Sequence, residues 1–542
     1  MTWRLLCWLI IAFACFWGIG AYPLLDNNEG LYASIARYML ESGDFIIPRL
    51  NGVPYIEKPP MLYWLMAASM KLFGVNEWGA RLPTALALFA TAWLMQRFLS
   101  RHARAETGTI AALLLATSLP LAVIGRTILC DMLMTCFVSA ALTAFYEWRI
   151  SGNHRALVGF YGLLALAVLT KGFVAVILAG GSILVFLLWQ RTPWREYFRL
   201  LSLPGIALFL IIAAPWHIAA SLEEPDFAWF YFINEHVNRF LGTREPHDYY
   251  TGPAWYYLPR IAAYLLPWTP FMVLLMKKPI QDSEPETQIK LHRFLWSWFL
   301  FFLAFFSLSG GKANYYVIAG MPPFIMLLAL RIQSYIDAKS RALPAIGSVI
   351  LVLIAAIPIF AHRFCGNLYP VCQLATPLAI AAACAYALAS GLLLWRLERR
   401  WVALVIGAHA FLLLPLLIAG VNLSADRISQ KPVADFMKPY QRIAMYQNFE
   451  ELSAMAFYIH SPLVMVDSVS ADLLYGQKRG QAAENFLSLK QWTAMPQSLP
   501  LVVRNTKMPE LTAIMPNDPI CPLQRFTLVT VVDLCKRIAH HD

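Results

Sequence analysis

The chain has 542 residues, of which 59% are hydrophobic and only 14% charged, where soluble domains run at roughly 45–50% and about 25%. So little polar surface cannot coat a string of soluble globules, which leaves a polytopic α-helical membrane protein. The formal net charge of +11 implies no nucleic-acid partner, because cytoplasmic loops of membrane proteins are rich in Lys and Arg and face anionic membrane lipids.

A window of about 19 residues finds apolar stretches at 4–23, 80–98, 107–124, 129–147, 156–170, 172–190 and 200–221. Further ones follow at 256–276, 294–309, 315–330, 342–361, 373–395 and 401–422. These read as about 13 transmembrane helices. The first resembles a signal peptide, but Tyr22-Pro23-Leu24-Leu25-Asp26 offers no small-residue cleavage site, so it is kept as a span. Basic residues fill alternate connections: Arg97, Arg101 and Arg104; Arg149 and Arg155; Arg191, Arg195 and Arg199. The alternation continues with Lys277, Lys278, Lys290 and Arg293; Arg331, Lys339 and Arg341; Arg396, Arg399 and Arg400. The positive-inside rule makes these connections and the N-terminus cytoplasmic. Outside lie two large loops, at about 24–79 and 222–255, and a tail over 423–542.

The tail is far less apolar. Short β-branched runs, Leu463-Val464-Met465-Val466 and Phe526-Thr527-Leu528-Val529-Thr530-Val531-Val532, alternate with helical pieces such as 450–458. It reads as a small α/β domain. The chain thus divides into a transmembrane domain, 1–422, and an outer α/β domain, 423–542. Cys7, Cys15, Cys130, Cys136 and Cys384 fall in spans, where Cys acts as a small apolar residue. Cys365/Cys372 and Cys521/Cys535 fall outside, where an oxidising compartment could close each pair or leave it open.

Charges at the outer ends of spans are costly and point to function. Lys171 ends span five, Lys312 follows span nine, and Arg126 and Asp131 bracket the outer start of span four. Snorkelling to headgroup phosphates explains any one of them. Their recurrence at one face favours an anion site there. The first outer loop opens with Asp26-Asn27-Asn28-Glu29-Gly30-Leu31-Tyr32. An amphipathic helix follows, with Leu31, Ile35, Tyr38 and Met39 on one side and Arg37 and Glu41 on the other, expected to lie along the bilayer surface. After Tyr55-Ile56-Glu57-Lys58, Pro59 and Pro60 begin a second surface helix at 61–73. The second outer loop carries Asn234-Glu235-His236-Val237-Asn238-Arg239-Phe240. By itself His236 is more often structural than a ligand.

These strings, in this order, resemble the lipid-linked-sugar glycosyltransferases of the multi-span family that includes the protein O-mannosyltransferases. Within it they are most similar to the bacterial 4-amino-4-deoxy-L-arabinose transferases acting on lipid A. The resemblance covers nearly the whole chain. It is carried by residues 32–44, by Tyr55-Ile56-Glu57-Lys58-Pro59-Pro60, by Leu169-Thr170-Lys171-Gly172, by residues 235–240 and by Gly311-Lys312-Ala313-Asn314-Tyr315-Tyr316. Tyr-x-Glu-Lys-Pro-Pro is the most specific of them. One departure stands out: where the family carries Asp-Glu, often followed by x-Arg-Tyr, this chain has Asn28, Glu29, Gly30, Leu31 and Tyr32. The key acidic residue falls on an amide, so Asp26 or Glu29 takes its role, or the sugar or acceptor differs.

The resemblance implies the GT-C fold and a bacterial inner-membrane location, with the α/β domain periplasmic. It implies a polyprenyl (undecaprenyl) phosphate-linked sugar as donor and lipid A or another envelope glycan as acceptor. No cofactor is required, and a divalent cation and its ligands are left open. A leaving phosphate gains charge, so preorganised cations lower the barrier. Lys58, Arg239 and Lys312 are the candidates, with the Tyr316 hydroxyl. Asp26 or Glu29, together with Asp131, would act as the carboxylates. Asn28, Glu57, Arg126, Lys171 and His236 form a secondary set. Asp26 is favoured over Glu29 because Asp-x-x-Glu places it near the cap of the following helix, which is also its bland reading. A transporter or flippase is the competing class, but it would show ionisable residues near mid-bilayer.

Overall fold

The computed structural model describes residues 2–246, 250–276, 285–360, 363 and 376–538. Cys365, Cys372, Lys277 and Lys278 lie outside the described residues. The chain divides into two compact units. The first comprises Met1–Ile19, Glu57–Leu62 and Arg81–Gly420; the second comprises Gly20–Ile56, Tyr63–Ala80 and Val421–Asp542. The second unit therefore takes most of the first outer loop together with the tail.

The first unit is helical, and the chain is a membrane protein. Among the described residues seven helices are long and apolar enough to cross a bilayer: Glu77–His102, Leu203–Glu223, Glu286–Leu308, Tyr316–Asp337, Ala342–Phe360, Pro377–Arg396 and Arg399–Leu423. The pair Ala105–Thr117 and Leu119–Arg126, bent by 70°, would make an eighth. Pro120, near the start of the second piece, cannot donate a helical hydrogen bond to the first. The other apolar stretches fall on shorter helices, Thr2–Phe16 and Val174–Trp189, or on Cys130–Ser151 and His154–Lys171. Residues 256–276 form only the Leu258–Tyr264 turns and a 3₁₀ segment, Thr269–Met276.

Three features of this unit position polar groups. Gly172, at φ 98°, ends the His154–Lys171 helix in a conformation that L side chains rarely adopt. Residues Trp229–Asn238 form a π-helix, a rare wide turn that concentrates at functional sites. Loop 309–312 lies against Phe240 and Tyr250: Gly310 N–H donates to Phe240 O at 2.7 Å and Lys312 N–H to Tyr250 O at 2.8 Å. A Cβ on Gly310 would stand 2.6 Å from the Gly242 nitrogen, so only glycine permits that approach.

In the second unit, β1 (Arg49–Leu50) and β2 (Val53–Pro54) form a small antiparallel hairpin. The tail builds β3 (Ala444–Tyr446), β4 (Val464–Val466), β5 (Phe486–Leu487), β6 (Leu501–Arg504), β7 (Ile520–Arg525) and β8 (Val529–Leu534). They form one sheet in the order β5-β4-β3-β6-β8-β7. Strands β3 to β6 pair in parallel, whereas β8 runs antiparallel to both β6 and β7. Tyr446, Val464, Val466, Trp492, Leu501, Val503 and Val532 share its core, so the α/β reading of the tail holds. Cys521 and Cys535 are disulfide-bonded and tie β7 to the end of β8.

The amphipathic-helix expectation needs correction. The Asn28–Ser42 helix buries Leu31, Tyr32, Ala33, Ser34, Ile35, Ala36 and Met39, and also Arg37 from its supposed polar side. Arg37 donates to Phe457 O at 2.9 Å and Ile459 O at 2.7 Å. Those carbonyls belong to the Ala454–Tyr458 helix and the residue after it. The helix is covered by the tail, a long-range contact that no local pattern encodes.

Candidate active site

Glu57 and Lys58 stand just before the Met61–Phe73 helix, which begins where Pro59 and Pro60 predict it. Glu235, His236 and Arg239 come from the π-helix and the turn after it. The first unit brings these residues together. Lys58 Nζ lies 3.3 Å from Glu235 Oε2, and Arg239 Nη2 lies 2.9 Å from the same oxygen. Arg244 Nη2 is 2.7 Å from Glu57 Oε1, and Arg244 Nε also donates to Glu235. Three cations thus share two carboxylates, leaving one surplus positive charge. Burial would raise the Glu235 carboxyl, but Arg239, Lys58 and Arg244 outweigh it and hold the group well below the usual carboxylate range.

A cavity of about 340 Å³ opens onto this cluster. Its wall combines Glu57, Lys58, Lys171, Glu235, His236 and Arg239 with the apolar side chains of Val174, Ile177, Phe240, Leu241, Phe305 and Phe306. Ser309 and Tyr316 also line it. Lys171 ion-pairs with Asp131, joining the facing ends of the His154–Lys171 and Cys130–Ser151 helices. Its ammonium also sits 4.4 Å from the Tyr316 ring centre, a cation–π contact. Tyr257 and Tyr264 hold the preceding loop by donating to Ala313 O at 2.9 Å and Asn314 O at 2.7 Å.

Several expected site residues have other engagements. Lys312 is buried, its ammonium donates to Ser309 O, and it does not line the cavity. Arg126 donates to Trp17 O beyond the end of the first helix. His236 accepts from Phe173 N–H at 3.0 Å through Nε2, so its Nδ1 carries the proton, which it gives to Tyr231 O at 2.6 Å. That fixes a neutral tautomer, and burial lowers its pKa further. His236 thus ties the π-helix to the backbone at Phe173. Among the described residues no group of three or more His, Cys, Asp or Glu side chains could hold a metal ion.

Asp26, Asn28 and Glu29 belong to the second unit and take their partners there. Asp26 does not cap the helix: Asn27 occupies that position, with no side-chain cap. Asp26 instead accepts from Ala454 N–H at 3.0 Å and Gln430 Nε2 at 3.2 Å. Glu29 is buried and accepts from Leu25 N–H at 3.0 Å. Burial pushes the Asp26 carboxyl up from 3.8 to about 7, against the pull of Ala454 N–H, Gln430 and Arg504. A folded-state pKa above the unfolded value means the fold binds the proton more tightly. The stability contributed is therefore full below about pH 4 and is lost as pH rises through about 7. Asp26→Asn, which can keep the Ala454 bond on its oxygen and can donate to Gln430 once that amide turns its oxygen inward, should raise the melting temperature at pH 8 and lose that advantage toward pH 5. A tenfold tighter hold on a proton corresponds to about 1.4 kcal/mol, so the gain should be a few kcal/mol at most. A variant that melts lower than the parent at pH 8 would contradict this.

Sequence reasoning misses Arg244. Its signal is a second basic residue, five positions after Arg239, in an outer loop where basic residues are scarce.

Residues 57–218 match the family described as dolichyl-phosphate-mannose-protein mannosyltransferase. The undecaprenyl phosphate-alpha-4-amino-4-deoxy-L-arabinose arabinosyl transferase of Shewanella sediminis is 31% identical over 357 residues, covering 63% of each chain. The enzyme of that name from Pseudomonas aeruginosa PAO1 is 32% identical, with 64% of each chain covered. One from Pseudomonas fluorescens is 28% identical over 86% of this chain and 83% of its own. The first two matches thus span under two thirds of those relatives. Among solved structures, ArnT from Cupriavidus metallidurans bound to undecaprenyl phosphate superposes with a TM-score of 0.82 over 98% of both chains, at 22% identity. Its apo form gives 0.79. The resemblance drawn from the sequence strings is borne out, and the fold is that of these structures.

Proposed function

We propose that this chain is a glycosyltransferase of the lipid-linked-sugar family it resembles. It would move 4-amino-4-deoxy-L-arabinose from undecaprenyl phosphate to a lipid A phosphate. One observation carries the reading: a cavity with apolar walls that also exposes cations holding one surplus positive charge. A polyprenyl phosphate has those two chemistries joined. We place the protein in the bacterial inner membrane with the second unit in the periplasm, on the alternation of its basic connections.

In the reaction the acceptor oxygen bonds to the anomeric carbon while the bond from that carbon to the donor phosphate oxygen breaks. The electron pair leaves with the phosphate. Lys58 and Arg239 would meet that growing charge, in a water-poor site where fixed cations act strongly. Asp131, behind the cavity wall, would hold Lys171 beside Tyr316, where the ammonium can meet the donor. An ionised lipid A phosphate attacks without first losing a proton, so this acceptor requires no strong base. That suits a chain in which the family's key Asp is Asn28. The departure at Asn28 also leaves a second reading, transfer of a different sugar or to a hydroxyl of another glycan; a hydroxyl acceptor needs a carboxylate base, which another residue would have to supply.

Mass spectrometry of lipid A and other envelope glycans, with and without the protein, tests both. An aminoarabinose-sized mass added to lipid A is expected. A mass shift on another glycan would select the second reading, and unchanged glycans would reject both.

A further inference from the structure

The two glutamates of the cluster divide their oxygens between two sides. Their Oε1 atoms go to Arg244: Nη2 lies 2.7 Å from Glu57 Oε1, and Nε donates to Glu235 Oε1. Their Oε2 atoms face the other two cations. Glu235 Oε2 is 2.9 Å from Arg239 and 3.3 Å from Lys58, and Glu57 Oε2 is 3.9 Å and 3.8 Å from the same two nitrogens. Lys58, Arg239 and both glutamates line the cavity, whereas Arg244 does not. Arg244 is buried and its remaining arm donates to Pro246 O at 3.0 Å, so its planar fork is fixed on three sides.

We propose that Arg244 is a positioning residue for the donor phosphate: it holds Glu57 and Glu235 from behind so that Lys58 and Arg239 face the cavity with charge to spare. The proposal rests on the donor-phosphate reading above. Its physical basis is charge balance. With Arg244 present, three cations oppose two carboxylates. Without it the charges of this cluster cancel, and Lys58 and Arg239 are left to balance both carboxylates. When a phosphate draws Lys58 and Arg239 toward it, Arg244 still holds the Oε1 atoms of both carboxylates.

The test measures binding of undecaprenyl phosphate to the purified full chain in detergent, at fixed ionic strength. Arg244→Gln should weaken binding by about tenfold or more, as expected for loss of charge-assisted contacts. Adding Glu57→Gln to that variant should restore much of the affinity, because it removes the surplus carboxylate; a merely structural role predicts no rescue. Parental affinity in Arg244→Gln, or a double variant no better than the single one, would overturn the inference. If Arg244→Gln does not fold, Arg244→Lys keeps the charge but loses the two-sided bridge, and an intermediate affinity is expected. Undiminished binding in Arg244→Lys would also overturn it. If the parent chain fails to bind undecaprenyl phosphate, the donor reading falls and this inference with it.

Discussion

Lys58→Ala is expected to cut sugar transfer by about 10- to 150-fold while leaving the fold intact. Lys58 lines the cavity, and its ammonium is held by Glu235 Oε2 at 3.3 Å and by Glu57. A hydrogen bond to a charged group contributes about 1.5–3 kcal/mol, and that range converts to the stated loss of rate. Glu235 keeps Arg239 and Arg244 when Lys58 is removed, so little stability should be lost. Lys58→Arg should recover only part of the activity, because a planar fork does not replace a compact ammonium. Transfer and melting temperature should be followed on one preparation. Near-parental transfer by Lys58→Ala would return this lysine to headgroup snorkelling.

Gly172→Ala should damage the site from the opposite side. At φ 98° any side chain is strained, and a Cβ there would stand 2.2 Å from His236 Nε2 and 2.9 Å from the Tyr231 hydroxyl. The backbone term is about 1–3 kcal/mol and the overpacking about 1–3 kcal/mol. The expected result is a clear fall in melting temperature together with weaker donor binding, since His236 adjoins Glu235 in the π-helix. Pairing the change with His236→Ala removes the closest collision but neither the Tyr231 contact nor the strained φ, so it should recover part of the lost stability. An alanine variant that melts and transfers like the parent would refute this account of Lys171-Gly172.

Parts of this site were legible before any coordinates. Lys171 stands out as a charge at the outer end of an apolar span, Glu57, Lys58, Glu235 and Arg239 by the charged strings of the two outer loops, and Tyr316 by the family resemblance. All six line one cavity. Arg126 and Lys312 carried the same signal, yet their side chains are directed to the carbonyls of Trp17 and Ser309. A sequence pattern marks a charge as unusual without saying which partner it finds.

What the sequence determined by itself is what depends on composition and on short-range order. A chain that is 59% hydrophobic must lie in a membrane. Pro59-Pro60 must begin a helix, and β-branched runs in a polar tail must become strands. Tertiary structure alone decided the partners. Arg37 is buried because residues 457 and 459, more than four hundred positions away, supply its acceptors. Asp26 turns to Ala454 and Gln430 instead of capping its own helix. Arg244, silent as a letter in a loop, joins Glu57 to Glu235. Helix and strand signals repeat within a few residues, whereas a buried charge is satisfied by whichever segment the fold brings within about 3 Å.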